Sequence, residues 1–383
     1  KFYNLTFNSA NTFTIAAGNT LTVNGKLSLL NGNVNTGTIN AQGDIDVSTD
    51  FDGDTATLVI NGSGTQTFTG IGSGTTADLL NLEINKPSGT LNLAGTIYAD
   101  RNWTYTQGTI NEGTSTVIFE GRTLTITGNM KFYNLTFNSA NTFTIAAGTT
   151  LTATRTLNLN DGTINTGTIQ TSGDLNVAAN ADNGNAIITL NGTEDQPITC
   201  SGAAPGGHLT NTLNINKSSG TVTITGNCRL HNINLQTGTL TFLGGATYTI
   251  DDADTITTSA GTTINFSGSS GSLVTLRSDA ARQWDLKVNA GASYLANYVD
   301  VQYSNASGGQ SIYAAKSVDS GNNTNWYFVG NLTNTNVEPD SLIVSTEGLV
   351  TISFTTANSL PSDGLFWYNR IVFIFSKPPR MII

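Results

Sequence analysis

The sequence predicts an all-β chain wound as a parallel β-helix, a β-solenoid expected to coil right-handed, and three observations carry that prediction. The segment KFYNLTFNSANTFTIAAG fills residues 1–18 and recurs without change at residues 131–148. Bursts that alternate apolar residues with Thr or Asn return every 8 to 14 residues, most of them ending at Gly or Asn-Gly. Charged residues make up only 11% of the 383, against about 25% in ordinary soluble domains. Thr, Val, Ile, Phe and Tyr suit pleated strands, and Asn, Gly and Asp suit the turns between them. Glu, Lys, Arg, Gln and Met are too few to build amphipathic helices.

The repeat extends past its identical part. TGTINAQGDIDV at residues 36–47 matches TGTIQTSGDLNV at 166–177, NGSGTQTFTG at 61–70 matches NGTEDQPITC at 191–200, and LEINKPSGTLNLAG at 82–95 matches LNINKSSGTVTITG at 213–226. Alternation at period two places apolar side chains on one strand face only. Such strands need neighbours above and below to bury that face, and an unbroken run of this length exceeds one sandwich. Residues 1–275 therefore read as a solenoid of two long repeats, 1–130 and 131–275, with coils of about 20–25 residues and three strands each. From residue 276 the composition shifts, with no Thr between Thr275 and Thr324 and with Trp284, Tyr294, Tyr298, Tyr303, Tyr313, Trp326, Tyr327 and Phe328 close together. Residues 276–330 read as terminal coils with an aromatic-rich cap over the open core. Residues 331–383 read as part of an Ig-like β-sandwich, ending in an atypical apolar tail, LFWYNRIVFIFSKPPRMII, at 365–383. That tail is expected to be either the result of an interrupted reading frame or a strand donated to a neighbour.

Charge and cysteine usage narrow the function classes. A net charge of −10 argues against nucleic acid and against anionic membrane surfaces, which reward clustered Lys and Arg. No run approaches the ~20 apolar residues of a membrane helix. Two cysteines imply no disulfide framework. The chain opens at Lys1 inside a repeat, so it is expected to be processed or fragmentary, with an uncapped first coil.

The units GTINEGTSTVIFEG (108–121), GTQTFTG (64–70) and FYNLTFN (2–8 and 132–138) resemble the repeats of large bacterial cell-surface proteins with adhesin-like, filamentous-haemagglutinin-like β-helices. The segment at 298–328 resembles the closing module of such arrays, and VEPDSL with TISFTTANSLPSDG resembles the Ig-like module that follows them. The resemblance covers about 365 residues. It implies a secreted, extracellular structural protein of a bacterial envelope, such as a surface-layer, filament or stalk component, and the open sheet edges at a solenoid's ends make the chain itself the expected main partner. An adhesin binding glycans or a cell surface is the alternative, and a carbohydrate-active β-helix enzyme the weaker one. It brings no catalytic residues, and no enzyme activity and no cofactor are expected.

Particular residues were weighed against that reading. Catalysis on a solenoid needs clustered carboxylates on one face. Of the acids between 44 and 54, only Asp44 and Asp52 keep a carboxylate in the second repeat, as Asp174 and Asp182. Asp50, Asp52 and Asp54 in TDFDGDT offer hard oxygens beside a Gly, a minimal calcium candidate, although a solvated Asx-type turn is the plainer explanation. Cys200, His208, Cys228 and His231 are the only Cys and His. Cys200 and Cys228 lie about one coil apart, which allows a disulfide between them, two unpaired thiols, or a metal site using the C-x2-H spacing of Cys228 and His231. Thr-x-Thr pairs such as Thr67/Thr69 and Thr221/Thr223 occur at scattered coil positions, as strand propensity alone would place them.

Overall fold

The computed structural model describes residues 1–71, 78–182, 184–204, 207–209 and 211–329, and the backbone of the strands Ser341–Val344 and Val350–Ser353. The chain separates into two compact units, Lys1–Gly330 and Asn331–Ile383. Every regular element among the described residues is a strand, and no helix there is long and apolar enough to cross a membrane.

The first unit is a parallel β-solenoid of about 15 turns. Its inner columns can be followed rung by rung. Leu21 pairs with Ile39, Ile39 with Leu58, Leu58 with Leu82 and Leu82 with Trp103, all in parallel register. The column resumes at Met130 and runs through Leu151, Ile169, Ile188, Leu213, Ile233, Ile256 and Leu286. Trp103 joins the two halves, its indole N–H directed at the Met130 sulfur 3.2 Å away and its ring packed edge-on against Phe119 and Phe132. Each strand buries alternate residues, as in Thr57–Ile60 with Leu58 and Ile60 inside. Outward Asn side chains form ladders of their own, such as Asn176 Nδ2 on Asn158 Oδ1 and Asn234 Nδ2 on Asn214 Oδ1.

Rungs of the first column fall 18 to 24 residues apart between Leu21 and Trp103 and reach 30 between Ile256 and Leu286. The range is wider than the expected 20–25 because the corners, not the strands, absorb length. One corner is repeated in both halves. Thr36 and Gly37, and again Thr166 and Gly167, take positive φ of 51°, 66°, 52° and 62°. A β-carbon on Gly37 would meet the Ile15 side chain at 2.3 Å, so Gly is required there for space as well as for φ.

Beyond Thr275 the ladder continues to Val329, with Ile312 paired to Trp326 and Ala314 to Phe328. The aromatics there divide by position. Trp284 is fully buried, and Trp326 donates its indole N–H to Ser304 Oγ at 3.0 Å and stacks on Phe328. Tyr298 and Tyr303 occupy corners at positive φ. Tyr313 and Tyr327 point outward and stack with ring centres 5.1 Å apart. In the second unit the two described strands pair antiparallel. The rest of the expected Ig-like segment and the tail at 365–383 lie outside the described residues.

The identical segments give an internal control on stacking. In the second copy Phe132, Leu135 and Phe143 are fully buried, because strands at Thr116–Glu120 and Leu124–Thr127 lie against them. In the first copy Phe2 is 43% exposed and Leu5 and Phe13 are only partly covered. The same residues differ in burial solely through the presence of a preceding coil.

Candidate functional site

Asp50, Asp52 and Asp54 do not assemble a donor set. The strand Phe51–Gly53 turns Phe51 and Gly53 inward and leaves Asp52 exposed between them. Asp54 begins the next corner at a φ of 111°. Among the described residues these three carboxylates do not gather around one point. Asp44 instead accepts the backbone N–H of Thr67 from the coil above at 2.8 Å, and Asp46 pairs with Lys26. Both are groups that hold neighbouring coils.

Cys200 and Cys228 form a disulfide with Cα atoms 5.4 Å apart, and both are buried. In the strand Cys228–Leu230, Cys228 and Leu230 face the core while Arg229 faces out, and His231 follows on the outer side. Positions three apart on a strand lie on opposite faces. The C-x2-H spacing therefore cannot bring Cys228 and His231 to one metal, which corrects that part of the sequence reading.

His231 meets partners from the coil above. Its Nδ1 faces Asp254 Oδ2 and lies 3.8 Å from Asp251 Oδ2. The turn that carries these acids is closed by the Asp254 N–H on the Asp251 carbonyl at 3.1 Å, with Ala253 at a φ of +66°. Arg229 donates from Nε to Asp251 Oδ1 and from a terminal nitrogen to Asp279 Oδ2, both at 2.7 Å. Asn232 Nδ2 donates to Asp254 Oδ1 at 2.8 Å. Burial pushes the Asp254 carboxyl above its ordinary range. In the sequence His231 stands out as one of two His, and Asp251, Asp252 and Asp254 as a dense run of acids. Their meeting is not legible there because only the coil length, one rung from Leu230 to Ile250, brings them together.

The equivalent corner of the first repeat is also polar. Asp100 follows Ala99 as His231 follows Leu230, and Glu120 follows Phe119 one coil up as Asp251 follows Ile250. Asp100 is 1% exposed, and neither of its carboxylate oxygens has a hydrogen-bond partner. Arg101 Nε and Arg122 Nε stand 3.5 and 3.4 Å from its Oδ2. Burial first, then the charge of Asp78, pushes Asp100 up to about 6. Burial, Asp78 and Asp100 in turn push Glu120 up to about 7. Perturbed acids mark functional-site candidates, yet a general acid must touch its substrate, and the oxygens of Asp100 are closed to solvent. Two open surface hollows of about 640 and 440 Å³, one beside Asn216 and Thr237 and one beside Tyr105 and Lys131, contain no Asp or Glu.

A buried polar spine, also unforeseen, repeats in both halves. Lys86 Nζ donates to the carbonyls of Gly62 and Gly64 and to Gln66 Oε1 at 2.7–2.8 Å. Gln66 also accepts the Gly62 N–H and donates to the Ala41 carbonyl one coil lower. Lys217 and Gln196 reproduce the arrangement with Gly192, Glu194 and Thr171. The ammonium has three donors and all are satisfied. The available signal was the identical Lys at an inward position of LEINKPSG and LNINKSSG.

No family model, curated protein or solved structure matches this chain.

Proposed function

We propose that this protein is a non-catalytic extracellular structural component of a bacterial envelope, assembling through the ends of its solenoid. The observation that carries the reading is the segment repeated at residues 1–18 and 131–148: in the second copy Leu135 and Phe143 are fully buried between parallel strands on both sides. The same sequence at residues 1–18 can take a parallel coil in the same way, and strand edges recruit strands. A second copy can supply that coil, and head-to-tail contacts of this kind propagate into filaments. Extracellular placement is supported by the buried disulfide, since such bonds persist in oxidising compartments. The sequence resemblance to adhesin-like surface repeats agrees with both.

Sedimentation at rising concentration tests the assembly. Association is expected for the wild type and should weaken sharply with Phe2→Lys, which places a charge where its counterpart Phe132 is fully buried; a monomer at all concentrations contradicts the reading.

The stacked, exposed pair Tyr313 and Tyr327 favours a second reading, adhesion, because aromatic ledges pack against sugar faces. Binding on a glycan array that is lost with Tyr313→Ala would favour adhesion over assembly alone. Turnover of a polysaccharide, abolished by Glu120→Gln, would overturn the non-catalytic assignment.

A further inference from the structure

We infer that His231, Asp251 and Asp254 form a binding site for a first-row divalent cation, of which Zn²⁺ is the best match. One ligand atom from each residue lies within 4.8 Å of the other two. The site spans two successive coils, with His231 just after the strand Cys228–Leu230 and both acids in the turn above it.

Two observations beyond proximity point to a ligand. His231 Nδ1 and Asp254 Oδ2 are both closed to solvent and meet as an ion pair outside hydrogen-bond geometry. Asp254 as a whole is 8% exposed. A buried pair outside hydrogen-bond geometry is poorly satisfied, and a cation held by both groups serves each of them.

The surroundings are arranged as metal ligands require. Asp251 is held through Oδ1 by Arg229 and Asp254 through Oδ1 by Asn232, which leaves the Oδ2 of each turned to His231. Such outer contacts orient the coordinating atoms. The disulfide at Cys228 pins the strand that delivers His231. Charge also balances. Asp251, Asp252, Asp254 and Asp279 face two guanidiniums, Arg229 and Arg282, which leaves two negative charges for a divalent ion.

One imidazole nitrogen with two carboxylate oxygens suits Zn²⁺ or Mn²⁺ and not Ca²⁺, which takes oxygen ligands. Three protein ligands leave room for water in a fourth position, reached through the partly exposed His231. Bound there, the ion would tie one coil to the next on the outside of the stack.

The test uses the full chain freed of metal by chelation. Co²⁺ is added first, as a visible probe of ligand geometry, and Zn²⁺ is then titrated in by calorimetry and by thermal melting. The expected result is a d–d absorption band displaced by Zn²⁺, one ion bound per chain, and a melting temperature that rises with Zn²⁺. His231→Gln and Asp254→Asn should each weaken binding at least tenfold, on the order seen for losses around metal sites, while His208→Gln leaves it unchanged. A wild-type chain with no band and no binding heat overturns the proposal whatever the variants do. Binding that survives both His231→Gln and Asp254→Asn overturns it equally.

Discussion

At the scale of residues, the apolar interior is interrupted by a few buried polar groups, among them two ammoniums that close corners. Lys86 is 1% exposed and makes three hydrogen bonds. Replacing it with Met strands the Gly62 and Gly64 carbonyls without donors. A loss of about 3 kcal/mol is expected from breaking such charge-assisted bonds, read as a lower urea midpoint, and Lys217→Met should behave alike. An unchanged midpoint for both would show that the spine does not hold the coils. The disulfide between Cys200 and Cys228 closes a separation of 28 residues. On the chain-entropy account that is worth about 3–4 kcal/mol, so Cys200→Ser with Cys228→Ser should melt well below the wild type in non-reducing buffer.

At the scale of elements, what was legible in the sequence followed from period two, and what was hidden followed from coil length. Alternation in TLVI or TLTV declares an inner and an outer face, and TGT recurs where Thr36 and Thr166 take left-handed φ. The meeting of Cys200 with Cys228 was one of three open readings, because the spacing fits a single coil. The meetings of His231 with Asp254 and of Asp100 with Glu120 were not legible, since corners range too widely in length for vertical neighbours to be counted from sequence. The acidic corner carries a pH signature. Glu120 ionises near 7 in the folded chain and near 4.5 unfolded, so the folded state binds the extra proton between those values. Its stabilising effect is complete below pH 4.5 and disappears as pH rises through 7, by up to about 3 kcal/mol. Melting followed from pH 4.5 to 8 should therefore show the wild type losing stability relative to Glu120→Gln; parallel curves would contradict the buried-acid assignment.

At the scale of the first unit, about 15 stacked turns at the inter-strand spacing of 4.7–4.9 Å make a rod of roughly 70 Å. Its outer faces carry Asn ladders, and Phe132, Leu135 and Phe143 of the repeated segment are fully buried where a preceding coil covers them. On the proposed reading this unit acts through its shape and through a first coil that can accept a further parallel coil. The most direct measurement is electron microscopy of the purified chain at micromolar concentration. Filaments with a subunit repeat of roughly 70 Å, absent in Phe2→Lys, are the expected result. Separate rods of single length at every concentration would contradict assembly through the solenoid end.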